Sequence, residues 1–127
     1  MDNLNNALSK MMNAERIGRD KCIILVSSKI IKDVLTIMKN NGYIGDFKEI
    51  EDGKGGKIIV NLIGKINKVG VIKPRFSVKI NQYEKYEKRF MPAKDFGFIV
   101  VSTSKGMMTH IEAKEKNLGG RLISFVY

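Results

Sequence analysis

The sequence predicts an α/β (α+β) chain of two small lobes: an N-terminal α-β-α-β-β lobe over residues 1–63 and a mostly-β lobe with one short helix over residues 64–127. Three observations carry that reading. Helical and strand periodicities alternate through the first half, then give way to short β-type runs. Gly64 stands at the change of pattern. The charge changes there too: residues 1–63 hold 10 basic and 8 acidic side chains, residues 64–127 hold 13 and 5.

In the first lobe, Leu4, Ala7, Leu8, Met11, Met12 and Ile17 recur near the helical period, with Asp2 as N-cap and Gly18 as stop. "KCIILV" (21–26) is too short and too β-branched for a helix and reads as a strand. Cys22 inside it is a small buried hydrophobe rather than a nucleophile or ligand. Ser27 or Ser28 caps a second helix, with Ile30, Ile31, Val34, Leu35, Ile37 and Met38 on one side and Lys29, Lys32, Asp33, Thr36 and Lys39 on the other. Asn41-Gly42 ends it. "YIGDFKEIE" and "KIIVNLI", joined by "DGKGG", form a hairpin. Two helices on one face of a small sheet result.

In the second lobe, Phe76, Val78 and Ile80 alternate within "VGVIKPRFSVKI", and Pro74 suits an edge or a bend. "NQYEKYEKRFMPAKD", charged, aromatic and broken by Pro92, reads as an excursion. "FGFIVVST" is a buried strand. Thr109 and Glu112 make a T-x-x-E capping box that opens a short helix, "HIEAKEKN". A double glycine then turns the chain into a last strand, "RLISFVY".

A net charge of +10 and a pI near 9.8 call for a polyanionic partner, and the charge sits mainly in the second lobe. Nucleic acid, bound through phosphate neutralisation, is the default at such a pI. A membrane surface is the rival, but no basic amphipathic helix with an aromatic face is evident in the sequence. No apolar run approaches the roughly 18 residues of a membrane span. "MDNLNNALSK" lacks the order of a signal peptide, so an intracellular, cytoplasmic protein is expected.

Catalytic motifs fail on inspection. Ser102 and Lys105 match S-x-x-K, but the partner motifs of that acyl-transfer site are missing. "HIE" at 110–112 has no following C-x-x-C, and with one histidine and one cysteine no transition-metal site is expected. His110 reads as exposed, in the first turn of its helix. Gly53-Lys54 and Gly64-Lys65 do not continue as a phosphate-binding P-loop. The expectation is a protein without catalysis, cofactor, metal or small-molecule substrate. A hydrolase built on Ser104 and Lys105 is the competing reading from another class.

The stretch "VSTSKGMMTHIEA" (101–113) is the strongest candidate for a site. Ser102, Thr103, Ser104 and Thr109 offer short hydroxyls that donate and accept, Gly106 permits close approach, and the N–H groups opening the next helix carry positive partial charge. Together they suit phosphates, ribose hydroxyls and base edges, as irregular RNA presents them. The plainer reading is a strand-to-helix turn with Thr109 and Glu112 engaged in capping. Basic residues extend the candidate surface: Lys65, Lys68, Lys73 and Arg75, with Arg121 on the final strand. Tyr83 and Tyr86, interleaved with Lys85, Lys88 and Arg89, either stack on RNA or pack the excursion onto the lobe.

These residues carry a resemblance. "STSKGMMTHIEA" and the terminal "GGRLISFVY", with "NNGYIGDF", "VNLIGKINK" and "IKPRF", resemble the family of small-subunit ribosomal protein eight along the whole chain. The form with "QYEKYEKRFMPAKDFG" is similar to the archaeal and eukaryotic branch and departs from the shorter bacterial excursion. The resemblance implies a two-lobe protein of the small ribosomal subunit that binds an irregular stem in the central domain of its RNA and helps organise the platform beside neighbouring ribosomal proteins. By motif position it implies RNA contacts at Ser102, Thr103, Ser104, Lys105, Gly106 and Thr109, with Glu112 anchoring the loop. The resemblance places the family's contacting tyrosine at Tyr83 or Tyr86, and Tyr86 is the expected RNA contact. A general RNA-binding module, or a repressor of its own operon's messenger RNA, is the alternative.

Overall fold

The computed structural model describes residues 3–25, 28–51, 53, 56–93 and 96–127. Asp2, Ser27, Lys54 and much of the "DGKGG" turn therefore lie outside the described residues. The chain divides into two compact units, Met1–Asn67 and Lys68–Tyr127.

The first unit runs α1 (Asn3–Arg16), β1 (Lys21–Ile24), α2 (Lys29–Asn40), β2 (Ile44–Ile50) and β3 (Lys57–Leu62). Its antiparallel sheet has the order β1-β3-β2, so the last strand formed in sequence lies in the middle. Leu4, Ala7, Leu8, Met11 and Ala14 bury one stripe of α1, and Ile31, Val34, Leu35 and Met38 one stripe of α2. They meet Cys22, Ile24, Ile58 and Val60, which share one face of the sheet. Each fully buried aliphatic side chain here contributes about 1.5–3 kcal/mol of transfer free energy. Ile17, expected on the α1 face, is 66% exposed because the helix ends one residue earlier, and Ala14 takes the inward position. Ser28 caps α2, its hydroxyl accepting from the Ile31 N–H. Gly42 closes that helix at φ 80°, with Tyr43 N–H bonded to the Met38 carbonyl and Gly42 N–H to that of Lys39. Lys32 and Lys39 on its polar side pair with Glu49 and Asp46 of β2 at 3.1 and 2.8 Å. The hydrogen bond and charge of Lys39 hold the Asp46 carboxyl below its ordinary range. Cys22 is buried, and burial pushes its thiol up, Lys10 opposing.

The second unit contains β4 (Val69–Val71), β5 (Ser77–Val78), a 3₁₀ turn (Ile80–Gln82), α3 (Tyr83–Phe90), β6 (Phe98–Thr103), β7 (Gly106–Thr109), α4 (His110–Glu115) and β8 (Gly120–Val126). The sheet order is β4-β8-β6-β7, with β5 also paired to β8. One sheet face presents Val78, Ile99, Val101, Met108 and Leu122 to Tyr83 of α3 and Ala113 of α4. Ile80 does not continue the strand alternation; it opens the 3₁₀ turn and is 41% exposed.

Two elements differ from the sequence reading. The supposed excursion holds a two-turn helix, α3, in which Tyr83, Tyr86 and Phe90 supply the apolar stripe at helical spacing. The chain thus does contain a basic helix with an aromatic face, but that face packs against the sheet. The second difference is β7. The segment after β6 is a strand returning antiparallel, so the Ser/Thr/Gly stretch is the tip of a β-hairpin and not a loop from strand to helix.

Candidate nucleic-acid interface

The hairpin is held by its apolar half. Phe98, Ile99, Val100 and Val101 are buried, which fixes β6 and leaves Ser102 and Thr103 half-buried at its emerging end. Ser104 and Lys105 span the tip between the paired residues Thr103 and Gly106, and all three of Ser104, Lys105 and Gly106 are exposed. Gly106 adopts φ 107°, where side-chain-bearing residues are strained, while Ser104 and Lys105 stay at negative φ. The Thr103 hydroxyl closes the turn: it accepts from the Lys105 N–H at 3.1 Å and donates to the Gly106 carbonyl at 2.7 Å. At the far end of β7, Thr109 Oγ1 accepts from the Glu112 N–H at 3.2 Å and caps α4. Glu112 contributes its backbone to that bond while its side chain is exposed. Thr109 is buried, so its hydroxyl serves the cap and not the surface.

Register brings Arg121 to the hairpin from another strand. It stands opposite Ser102 of β6 on one side and Ser77 of β5 on the other, and Ser102 in turn faces Met107. Directly opposed residues share a face. Their neighbours Leu122 and Val101 point to the helices, so Ser77, Arg121 and Ser102 line the opposite face. The double glycine makes this row possible. A Cβ at Gly120 would lie 2.4 Å from the Ser102 carbonyl oxygen, and one at Gly119 2.6 Å from that of Val78. Only bare backbone fits between β5 and β6 at that point. Ser77 was missed by the sequence reading; the alternation that placed Val78 inward was the signal that could have found it.

Lys73 and Arg75, both exposed, lie on the segment from β4 to β5, whose ends are tied to β8 by Ile72 N–H to the Ile123 carbonyl and Leu122 N–H to that of Phe76. Among the described residues, Arg75, Lys105 and Arg121 form no ion pair, so their charge is available to a ligand. Tyr83 is fully buried, with its hydroxyl donating to the Leu118 carbonyl at 2.9 Å, and burial pushes its ionisation above the ordinary tyrosine value. It packs the helix to the lobe. Tyr86 is half-buried beside Phe76 and belongs to the helix-covered side, away from the row containing Arg121.

His110 is also not where the sequence put it. It is 4% exposed, and its Nδ1 accepts from the Ile99 N–H at 3.0 Å. Pairing of β6 with β7 stops at Val100 and Thr109, so the imidazole supplies an acceptor where the strand partner has ended. Its Nε2 lies 3.1 Å from Glu87 Oε1 of α3, and Lys114 of α4 reaches the same oxygen. An accepting Nδ1 places the proton on Nε2, facing the carboxylate. The group joins β6, α3 and α4 directly behind the hairpin.

Nothing in this arrangement forms a nucleophile with a base. Among the described residues no cluster of three or more His, Cys, Asp or Glu is placed to hold a metal, and no helix is long and apolar enough to cross a membrane. What the arrangement offers is hydroxyls held at a clamped turn and cations that form no ion pair among the described residues. The family model described as ribosomal protein S8 matches residues 2–127. The chain belongs to that family. It is 52% identical over 127 residues to the small ribosomal subunit protein uS8 of Methanococcoides burtonii, covering 100% of this chain and 98% of that protein. The family is one of structural, RNA-binding ribosomal proteins and not of enzymes.

Proposed function

We propose that this chain is a structural constituent of the small ribosomal subunit that binds an irregular stem in the central domain of its RNA through the second unit. The observation that supports it most is the juxtaposition of the Ser104-Lys105 tip with the row Ser77, Arg121, Ser102. Arg121 neutralises phosphate, while hydroxyls held by a buried strand read ribose and base edges that only an opened groove exposes. Thr103, Thr109 and Gly106 keep the tip in shape; Lys105, Lys73 and Arg75 add charge around it. Tyr86 contributes from the opposite side of the sheet. The partners are small-subunit RNA and neighbouring ribosomal proteins, in the cytoplasm, with no catalytic step.

Sequencing the RNA that copurifies with the full chain tests this. A single small-subunit stem is the expected result. A random mixture would replace it with a general RNA-binding module, and enrichment of the chain's own messenger alone would make repression the primary role.

A further inference from the structure

On the helix-covered side of the second unit the aromatic side chains are not scattered. The Tyr86 ring lies 5.2 Å from Phe76, and the Arg89 guanidinium lies 5.2 Å from Phe76 and 5.4 Å from Phe90. Phe90 lies 5.5 Å from Phe125, Phe125 lies 6.3 Å from Tyr127, and Tyr127 lies 6.2 Å from Phe96. The rings form one unbroken line with Arg89 as its middle link, and Lys85 sits 5.6 Å from the Tyr86 ring at one end. Six of the chain's ten aromatic residues stand in it, which sequence distance alone would not produce.

Packing explains part of the line. Phe90 against Phe125 fastens α3 to β8, and such pairs stabilise a fold. It does not explain the rest. No ring in the line is fully buried, and Phe96 at its end is 49% exposed. Arg89 is exposed and has no carboxylate partner among the described residues, although a guanidinium stacked on two rings has its donors already oriented. Half-open rings interleaved with unpaired cations are the composition of a surface that binds unpaired nucleotides.

We propose that this line is a second RNA-contacting surface, taking a single-stranded segment on the side of the sheet opposite Arg121, with bases against the open rings and phosphates on Arg89 and Lys85. The inference rests on the reading of ribosomal RNA as the partner, and it goes beyond the hairpin by giving the protein two RNA faces. An acidic protein segment would match the charge, but partly exposed rings beside a planar donor fork favour a nucleic acid, whose bases stack on such rings.

The test uses the full chain in small subunits reconstituted on whole small-subunit RNA, with a photoreactive phenylalanine analogue at Phe96 or Ser104. A crosslink from 96 to RNA, at nucleotides separate from those reached from 104, is the expected result. A crosslink from 96 to protein, or none while 104 crosslinks, overturns the second surface and leaves the hairpin reading standing. Arg89→Gln gives an independent measure. It should lower the salt slope on whole small-subunit RNA by about 0.7, one single-strand phosphate contact, and leave binding to the isolated cognate stem unchanged. Lys85→Gln, at an exposed residue whose ammonium lies over the Tyr86 ring, repeats the test with little risk to folding. Unchanged slopes in both folded variants overturn the proposal, whereas loss of stem binding by Ser104→Ala reports on the hairpin alone.

Discussion

Among the described residues, each unit has a β-hairpin with glycine at positive φ beside its turn. In the first, β2 to β3, Gly53 and Gly56 both take positive φ, 76° and 79°, and the connection is rich in glycine. In the second, β6 to β7, one glycine at φ 107° suffices, and the Thr103 hydroxyl bonds to two backbone groups of the turn. Behind it stand a buried strand, the Thr109 cap and the His110 tie to α3. In the second hairpin these bonds remove freedom from the tip before anything binds, which lowers the ordering cost of the contact proposed for it.

The contrast can be broken most severely at the wedge beneath the second hairpin. Gly120→Ala forces a methyl against the Ser102 carbonyl, with 2.4 Å where contact requires well over 3 Å. A loss of about 1–3 kcal/mol or more is expected, read as a fall in melting temperature, together with weakened stem binding as Arg121 shifts. An unchanged melt would mean that β8 can move away freely, and the row would not be preset.

His110→Ala comes next. It leaves the Ile99 N–H buried without an acceptor, a loss of about 1–3 kcal/mol by chemical denaturation, and His110→Gln should recover part of it. Equal stability of wild type and the alanine variant would remove the tie from the account. Thr103→Val deletes both hydrogen bonds of the tip. About 1 kcal/mol of stability is expected, with reduced stem affinity; amide exchange at Lys105 and Gly106 should quicken, and slow exchange there would show that the clamp is dispensable.

Ser104→Ala should leave the melt untouched, since Ser104 is exposed and takes no part in the clamp. It should weaken the cognate stem roughly threefold to a hundredfold, with no change in salt slope, because a neutral hydrogen bond is lost and no counterion is involved. Uniform weakening across unrelated RNAs would reduce the hairpin to a plain turn. The smallest effect belongs to the first hairpin, where Lys48→Ala on β2 should stay within about 0.5 kcal/mol in stability and leave stem affinity alone. A larger effect there than at Arg121 would invert the comparison.

Local rules were enough for what local rules govern. The amphipathic period and Ser28 cap make α2 readable, and the apolar run of β6 and the Thr109 cap of α4 are equally plain in the sequence. The first turn chemistry to fail was β7, four residues long and too short for an alternation to register. The α3 stripe was present at positions 83, 86 and 90, but charge and Pro92 hid it, because a two-turn helix draws its stability from the sheet it covers and little from its own sequence.

The sequence by itself determined the kind of partner, through +8 net charge in residues 64–127, and the hydroxyls of the hairpin tip. It could not set Arg121 between Ser77 and Ser102, since those three meet only when β8 pairs with β5 and β6. Nor could it bury His110: the unpaired Ile99 N–H that the imidazole satisfies exists only because β7 ends where it does. Charge and hydroxyls are properties of residues, whereas an unpaired donor, a shared face and a line of rings exist only between strands and helices far apart in sequence. Those the tertiary structure alone decided.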